Sequence, residues 1–227
     1  IIGADEANSI IRNKLFEKKK DYNCRKFKKE MAISIEAIVP RNEVKINVDF
    51  PILYYVIIKW GYGWIFPRNN YFVIGLAGLR EENKDKNFHQ LFKDYLSLIG
   101  IEDKDIDYQG WQLPYGNFIK DPSYKNTILV GDAAGLVEPL TGEGIFYAHK
   151  SALLAAKAIH EIESARDNLE DIYNDLLKSE LFSRLDKFKK LSKFFYSQPT
   201  FMQKALLSVS TKLAGGYFTE IIQEEKL

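Results

Sequence analysis

The chain has 227 residues, 46% of them hydrophobic, which is enough to bury a substantial core in one or two domains. Its 32 Lys and Arg residues nearly balance 31 Asp and Glu residues, and the net charge of +1 argues against a dedicated nucleic-acid-binding protein. The single cysteine, Cys24, excludes an internal disulfide and fits a reducing, cytoplasmic compartment, and no apolar stretch is long enough to span a bilayer.

Residues 1–12 predict the end of a strand, a turn and the start of a helix. Asp5, Asn8 and Ser9 lie where residues that cap a helix N-terminus are expected. The lysine-rich range 18–29 that follows is expected to be a solvated surface loop.

Residues 31–79 predict a sheet of antiparallel strands with one covered face. The runs that alternate apolar and polar residues, or are continuously β-branched and aromatic, are 32–39, 44–50, 53–58 and 71–75. Polar residues at 41–42 and 68–70 are typical of hairpin turns. A helix is predicted over 83–99 and a further strand over 107–113.

The sequence GYGWIFP at 61–67 lies within this sheet. Tyr62 and Trp64 offer rigid apolar surfaces with one polar group each, and Pro67 fixes the backbone at a strand end. Together with Phe66 they could form a flat apolar slot, which suits an apolar ligand. The alternative is an aromatic cluster that only stabilises the sheet.

Residues 128–145, with the sequence ILVGDAAGLVEPLTGEGI, join a short apolar strand to a glycine-rich turn. Gly131 and Gly135 permit close packing of the backbone, and Pro139 stiffens the loop. Asp132 follows the strand, where α/β folds place ligand contacts, and its carboxylate can accept hydrogen bonds from a hydroxyl group. The alternative is a plain turn between strand and helix.

A long helix is predicted to begin after Gly142 and Gly144 and to reach about Ile162. Its N-terminus would carry partial positive charge, which can stabilise a nearby anion.

The tail is predicted to be helical. Apolar residues recur at helical spacing among charged residues over 168–195, Pro199 interrupts the pattern, and a further helix is predicted over 200–222. We interpret the tail as a helical cap on the core. A lipid-facing surface is the alternative, because aromatic residues at 194–196 lie beside lysines at 189–193.

Three motifs resemble those of one family. Residues 131–145 resemble the GDAAGxxxPxxGEGI motif of the geranylgeranyl reductase family, which has the p-hydroxybenzoate hydroxylase-type flavoprotein fold. Residues 3–12, GADEANSIIR, resemble its GADGANSxVR motif, with Glu6 in place of glycine. Residues 62–67 resemble its YxWxFP motif. The resemblance covers most of the chain and is weakest after Asn168.

This resemblance implies an FAD-dependent oxidoreductase that reduces isolated C=C bonds of a polyprenyl lipid. The implied cofactor-binding residues are Asp5, Arg12, Gly131, Asp132, Pro139, Gly142, Glu143 and Gly144. The implied substrate-binding residues are Tyr62, Trp64, Phe66 and Pro67, with Tyr62 as the candidate proton donor. The implied partners are an apolar isoprenoid-type substrate and an electron donor, either NAD(P)H or a ferredoxin. No metal site is expected, because the three histidines lack metal-binding spacing.

In this family the GADGANSxVR motif follows a Rossmann unit, and no G-x-G-x-x-G occurs here between a strand and a helix. We therefore expect the C-terminal portion of a longer α+β flavoprotein, inactive by itself. The expected parts are a remnant of the FAD-binding domain at 1–20, an antiparallel substrate-binding domain at 21–113, the FAD-binding domain at 114–165 and a helical region at 166–227. The expected location is the cytoplasm, with peripheral contact at a membrane surface left open.

Three alternatives stay open. An aromatic hydroxylase would resemble GDAAHxxxPxxGxGxN, but Gly135 stands in place of the histidine. A flavin-dependent halogenase carries a WxWxIP element that residues 62–67 match only in part. A non-catalytic lipid-binding protein that has lost the cofactor gains slight support from Glu6.

Overall fold

The computed structural model describes residues 1–18, 24–101, 106–115, 118–162 and 168–213, with backbone alone for 24–26 and 209–213. Its strands are β1 (Ile2–Gly3), β2 (Ala32–Pro40), β3 (Ile52–Tyr55), β4 (Gly61–Pro67), β5 (Tyr71–Leu79), β6 (Tyr108–Leu113), β7 (Ser123–Tyr124) and β8 (Thr127–Leu129). Its helices are α1 (Ile10–Lys18), α2 (Cys24–Lys29), α3 (Phe88–Leu98), α4 (Ile145–His160), α5 (Leu169–Leu177), α6 (Ser183–Tyr196) and α7 (Thr200–Leu213). The predicted α+β class is confirmed.

The chain forms two compact units. The first comprises Ile1–Met31 and Gln112–Phe194, and the second comprises Ala32–Trp111 and Phe195–Leu227. Among the described helices, none combines the length and apolar character needed to cross a bilayer.

In the first unit, a small sheet with the order β1-β8-β7 lies against helices. β8 pairs in parallel with β1 and antiparallel with β7. Ile128 and Leu129 on β8 are fully buried, and Tyr173 of α5 donates its hydroxyl proton to the Leu129 carbonyl over 2.8 Å. This buried strand leads directly into the turn at Gly131.

Helices α5 and α6 are joined by a π-helical turn at Lys178–Phe182, so the tail forms two helices over 169–196. Asn168 caps α5 by accepting a hydrogen bond from the Glu170 amide. After Pro199 the chain continues as α7, and the part of the predicted helix beyond 213 lies outside the described residues.

The second unit contains a five-stranded sheet in the order β3-β4-β5-β2-β6. Alternate residues of each strand face α3: Ile65, Phe72, Ile74 and Leu76 are almost completely buried in a core that includes Phe92 of α3. The intervening residues therefore line the opposite face of the sheet.

Two predictions in these ranges were wrong. Residues 44–50 form no strand, and they cannot pair with β2 in a hairpin, because β5 and β6 border β2 on its two sides. Instead, Arg41 fixes this segment by donating hydrogen bonds to the carbonyl of Val48 and the carboxylate of Asp49. The lysine-rich range, expected to be a loop, contains helix α2, while 19–23 lie outside the described residues. The hairpin turn predicted at 68–70 is confirmed.

Candidate cofactor and substrate sites

Gly131 fixes the turn between β8 and α4. Its φ of +53° favours glycine, and a Cβ there would lie only 3.1 Å from the Cβ of Ala148. The Gly131 amide donates to the hydroxyl of Ser151 over 3.0 Å. The backbone at Gly131 therefore packs closely against α4, and its predicted approach to a cofactor stays a prediction.

Asp132 presents an unsatisfied carboxylate beside the start of α4. The side chain is half-buried, and no donor in the described part of the chain hydrogen-bonds to it. Its Oδ1 lies 3.5 Å from the position that a Cβ on Gly144 would occupy. Burial raises the pKa of Asp132, and the charge of Glu6 raises it further. Such an acceptor, held by the chain but not satisfied by it, fits a ligand that brings a hydroxyl donor.

The loop before α4 is organised by Glu138, which was not predicted as a site residue. Its side chain is only 4% exposed, and its carboxylate accepts hydrogen bonds from the amides of Leu140 and Thr141 and from the Thr141 hydroxyl. Tyr115 donates to the Leu140 carbonyl over 3.1 Å. The only signal in the sequence was an acidic residue directly before the buried Pro139.

Glu143 and Gly144 form the N-terminal cap of α4. The Glu143 carboxylate accepts from the Phe146 amide over 2.8 Å, and the Gly144 carbonyl accepts from Ala148. Gly142 donates its amide to the carbonyl of Glu138 over 2.9 Å. The negative charge of Glu143 therefore offsets part of the positive end of the helix dipole.

Asp5 caps helix α1. Its carboxylate accepts from the Ser9 hydroxyl over 2.6 Å and from the amides of Ile10 and Ile11. Burial raises the pKa of Asp5, but the hydrogen bonds from Ser9 and the backbone lower it more, so the net pKa is lowered. The Asp5 carboxylate is therefore engaged by capping hydrogen bonds from its own helix, in agreement with the capping interpretation.

The lowered pKa of Asp5 predicts a pH-dependent contribution to stability. The contribution is present above the pKa of the unfolded chain, about 4, and is lost as the pH falls through the lower pKa of the folded chain. Urea unfolding of the wild type and Asp5→Ala should therefore differ by about 1 kcal/mol at pH 7 and by less at pH 3. A constant difference across this range would contradict the charged-cap assignment.

Arg12 connects α1 to the turn at Asp132. Its side chain is 6% exposed and donates to the carbonyls of Ala7, over 2.6 Å, and Ala133, over 3.2 Å. The guanidinium carbon also lies 4.2 Å from the ring centroid of Phe27. Arg12 thus positions the backbone beside Asp132.

Glu6 adopts a backbone conformation that favours glycine, with a φ of +66°. A non-glycine residue in the left-handed region costs roughly 1–2 kcal/mol, although glycine loses part of this advantage through its freer unfolded state. Glu6→Gly should therefore raise the free energy of unfolding by about 1 kcal/mol in urea titrations.

Glu6→Gln is the matched control, since it removes the charge beside Asp132 but keeps the side chain. If the glutamine variant gains as much stability as the glycine variant, the charge rather than the backbone conformation is the cause.

The second unit carries a row of aromatic side chains on the sheet face opposite α3. Tyr62, Trp64 and Phe66 alternate along β4 on this face, with centroid separations of 6.0 Å and 6.1 Å between neighbours. Tyr55 of β3 extends the row, 5.4 Å from Tyr62. Pro67 belongs to the other set of alternating residues, so the structure does not bring it into the row.

Trp64 lies flat across the sheet because Gly75 on β5 has no side chain. The two residues are cross-strand partners, and a Cβ on Gly75 would lie 2.3 Å from Cζ2 of the indole. The indole N–H donates to the carboxylate of Glu36 on β2 over 3.3 Å. Glu36 is the partner of Gly75 on the next strand, so all three residues form one row across the sheet. The role of Glu36 was not predicted, because its only signal was an acidic residue in an alternating strand.

Comparison with known proteins agrees with the motifs. The chain is 32% identical over 202 residues to an uncharacterized protein of Methanosarcina barkeri, covering 86% of this chain and 48% of the relative. It is 27% identical to digeranylgeranylglycerophospholipid reductase 2 of Methanosphaera stadtmanae, covering 66% and 40%. It is 30% identical to geranylgeranyl diphosphate reductase of Rhodobacter capsulatus, covering 70% and 39%. The chain is a homologue of the geranylgeranyl reductases. It spans less than half the length of these relatives.

Solved structures show the same fold. A geranylgeranyl bacteriochlorophyll reductase-like protein from Thermoplasma acidophilum matches with a TM-score of 0.69 at 16% identity, covering 88% of this chain and 50% of that one. PqsL of Pseudomonas aeruginosa, a probable FAD-dependent monooxygenase, matches with a TM-score of 0.54 at 17% identity, covering 86% and 55%. No family model matches the chain. The fold of this geranylgeranyl reductase homologue is that of FAD-dependent oxidoreductases and monooxygenases.

Proposed function

We propose that the full-length protein is an FAD-dependent oxidoreductase that reduces C=C bonds of a polyprenyl lipid. The observation that carries the proposal is the half-buried Asp132 carboxylate, which lacks a donor from the described residues and lies beside the N-terminus of α4. The names of the relatives from Methanosphaera and Rhodobacter support the same reaction class.

The first unit is proposed to hold the cofactor. Asp132 would accept a hydrogen bond from a cofactor hydroxyl, and the loop from Pro139 to Gly144 would lie against it, held by Glu138. Arg12 and Asp5 act indirectly, because their polar groups fix the backbone of α1 and of the turn. When bound and reduced, FAD supplies a hydride.

The second unit is proposed to bind the substrate. Tyr62 and Phe66 are partly exposed on either side of the buried Trp64, and their apolar surfaces can hold an isoprenoid chain and exclude water from it. Alkene reduction also needs a proton. The groups on this face that can hold one include the hydroxyl of Tyr62 and the carboxyl of Glu36, which is fixed by Trp64.

These two candidates can be separated by substitution. Tyr62→Phe and Glu36→Gln each remove one proton donor and nearly preserve the shape of the side chain. The donor is the residue whose loss slows product formation while FAD binding and substrate affinity are unchanged. If both variants turn over as fast as the wild type, neither residue is the proton donor.

The reaction is tested with the full-length protein, reduced by light without oxygen and then mixed with geranylgeranyl diphosphate. We expect reoxidation of the flavin together with a product heavier by two hydrogens. If the flavin stays reduced until oxygen is admitted, and oxygen is then consumed with substrate hydroxylation, the protein is a monooxygenase. Absence of FAD from the purified full-length protein would favour a non-catalytic lipid-binding protein.

A further inference from the structure

Helix α6 borders an open groove of about 520 Å³ in the first unit. The described residues that line it are Glu180, Ser183, Arg184, Lys187, Phe188 and Leu191. None of them belongs to the turn, loop or aromatic row described above.

The groove carries an excess of positive charge. Glu180 is paired with Lys150 over 2.9 Å, so its charge is compensated. Arg184 and Lys187 are one helical turn apart, and neither has a carboxylate partner within the described ranges. Asp186, the other acid nearby on α6, is paired with Lys120 over 3.3 Å. Arg184 also lies beside the Tyr147 hydroxyl, but that neutral group does not compensate its charge, so neither cation is neutralised by a carboxylate.

The character of the groove changes along the helix. Its polar part is at Ser183 and the two cations Arg184 and Lys187, and its apolar part is at Phe188 and Leu191. Leu191 is 47% exposed, which leaves apolar surface open beside the cations. Positions 184 and 191 are about 10 Å apart along a helix.

The Arg184 guanidinium lies between two rings, 5.3 Å from the centroid of Phe146 and 5.7 Å from that of Phe188. These contacts limit its freedom while they leave its N–H groups without a carboxylate. A guanidinium held in this way can form paired hydrogen bonds with two phosphate oxygens.

We propose that this groove binds the phosphate-bearing head of an isoprenoid lipid. Arg184 and Lys187 bind the phosphate oxygens, and Phe188 and Leu191 contact the first part of the apolar chain. An inorganic anion would use only the polar part of the groove, whereas a lipid phosphate uses both. This inference rests on the proposed function and concerns the first unit alone, where it assigns the groove to the charged end of such a lipid.

The test measures binding of geranylgeranyl diphosphate to the full-length protein by calorimetry. The variant Arg184→Gln with Lys187→Gln should bind at least about tenfold more weakly, because it loses charge-assisted hydrogen bonds. The matched control, Lys190→Gln with Lys193→Gln, removes the same charge from exposed positions of α6 outside the groove and should bind within about twofold of wild type. Uncharged geranylgeraniol should bind equally to all three proteins.

Arg184→Lys gives a second measurement in case the double variant is unstable, since it keeps the charge and should show an intermediate loss. If the groove variant and the control variant lose affinity for geranylgeranyl diphosphate to the same extent, the proposal is overturned, because general electrostatic attraction to the protein surface would then explain the binding. Inorganic diphosphate binding as tightly as the lipid would also overturn it, because the apolar part would contribute nothing.

The two proposals fail in different ways. If the Arg184 and Lys187 variant binds geranylgeranyl diphosphate with unchanged affinity and still reduces C=C bonds, the groove proposal is rejected and the reductase proposal stands. If binding depends on these cations but no C=C bond is reduced, the groove proposal stands and the reductase proposal is rejected.

Discussion

Arg12→Met is expected to lower the free energy of unfolding by about 3 kcal/mol. The substitution keeps most of the side-chain volume but leaves the carbonyls of Ala7 and Ala133 without their donor in a buried environment. Each buried acceptor left unsatisfied costs about 1–3 kcal/mol, and the contact with Phe27 is weakened as well. The measurement is the midpoint of urea unfolding, monitored by circular dichroism.

Lys14→Met is the matched control, because it removes a cation from the exposed side of the same helix. It should change the free energy of unfolding by no more than about 0.5 kcal/mol. If Arg12→Met is as mild as this control, then Arg12 does not fix the turn, and its side chain is available for a direct contact with a cofactor.

Asp132→Asn is expected to have opposite effects on cofactor affinity and on stability. Loss of a charge-assisted hydrogen bond should weaken FAD binding to the full-length protein by about 10- to 100-fold. Stability without cofactor should rise, because the raised pKa of Asp132 means that folding disfavours its ionised form.

The sign of the stability effect follows from the two pKa values. An acid whose pKa is raised on folding destabilises the folded chain increasingly as the pH rises from the unfolded pKa through the folded pKa. The gain from Asp132→Asn should therefore be complete above the folded pKa and disappear below about pH 3. Thermal melts at several pH values measure it, and Asp85→Asn, at an exposed position of the second unit, is the control.

If Asp132→Asn binds FAD with wild-type affinity, Asp132 is not a cofactor-binding residue. An unchanged or lower melting temperature at neutral pH would instead show that the carboxylate is satisfied. The two readouts test the role of Asp132 and its environment separately.

Local patterns in the sequence predicted those features that depend on local constraints. The turn at Gly131 and the helix after Gly144 follow from glycines, a proline and apolar spacing, and the structure places both within a few residues of their expected positions. The hairpin at 68–70 was predictable for the same reason, since its turn residues are adjacent in the sequence.

The errors and omissions concern contacts between distant residues. Residues 44–50 alternate like a strand, but the pattern contains no information on whether a neighbouring strand has a free edge. Glu36 acquires its role from Trp64, 28 positions away, and Arg12 from Ala133, 121 positions away. Such pairings depend on the tertiary fold, so the motif assigned Arg12 to a cofactor without revealing its carbonyl partners.

The flat position of Trp64 over Gly75 links the evolutionary histories of these two sites. Because even one methyl group at position 75 would overlap the indole, a lineage that gains a side chain there must first lose the tryptophan or shift it. The two positions should therefore covary among homologues, with glycine accompanying tryptophan and larger residues accompanying smaller rings. The pair is therefore a sequence marker for homologues in which a tryptophan packs over a glycine on the neighbouring strand.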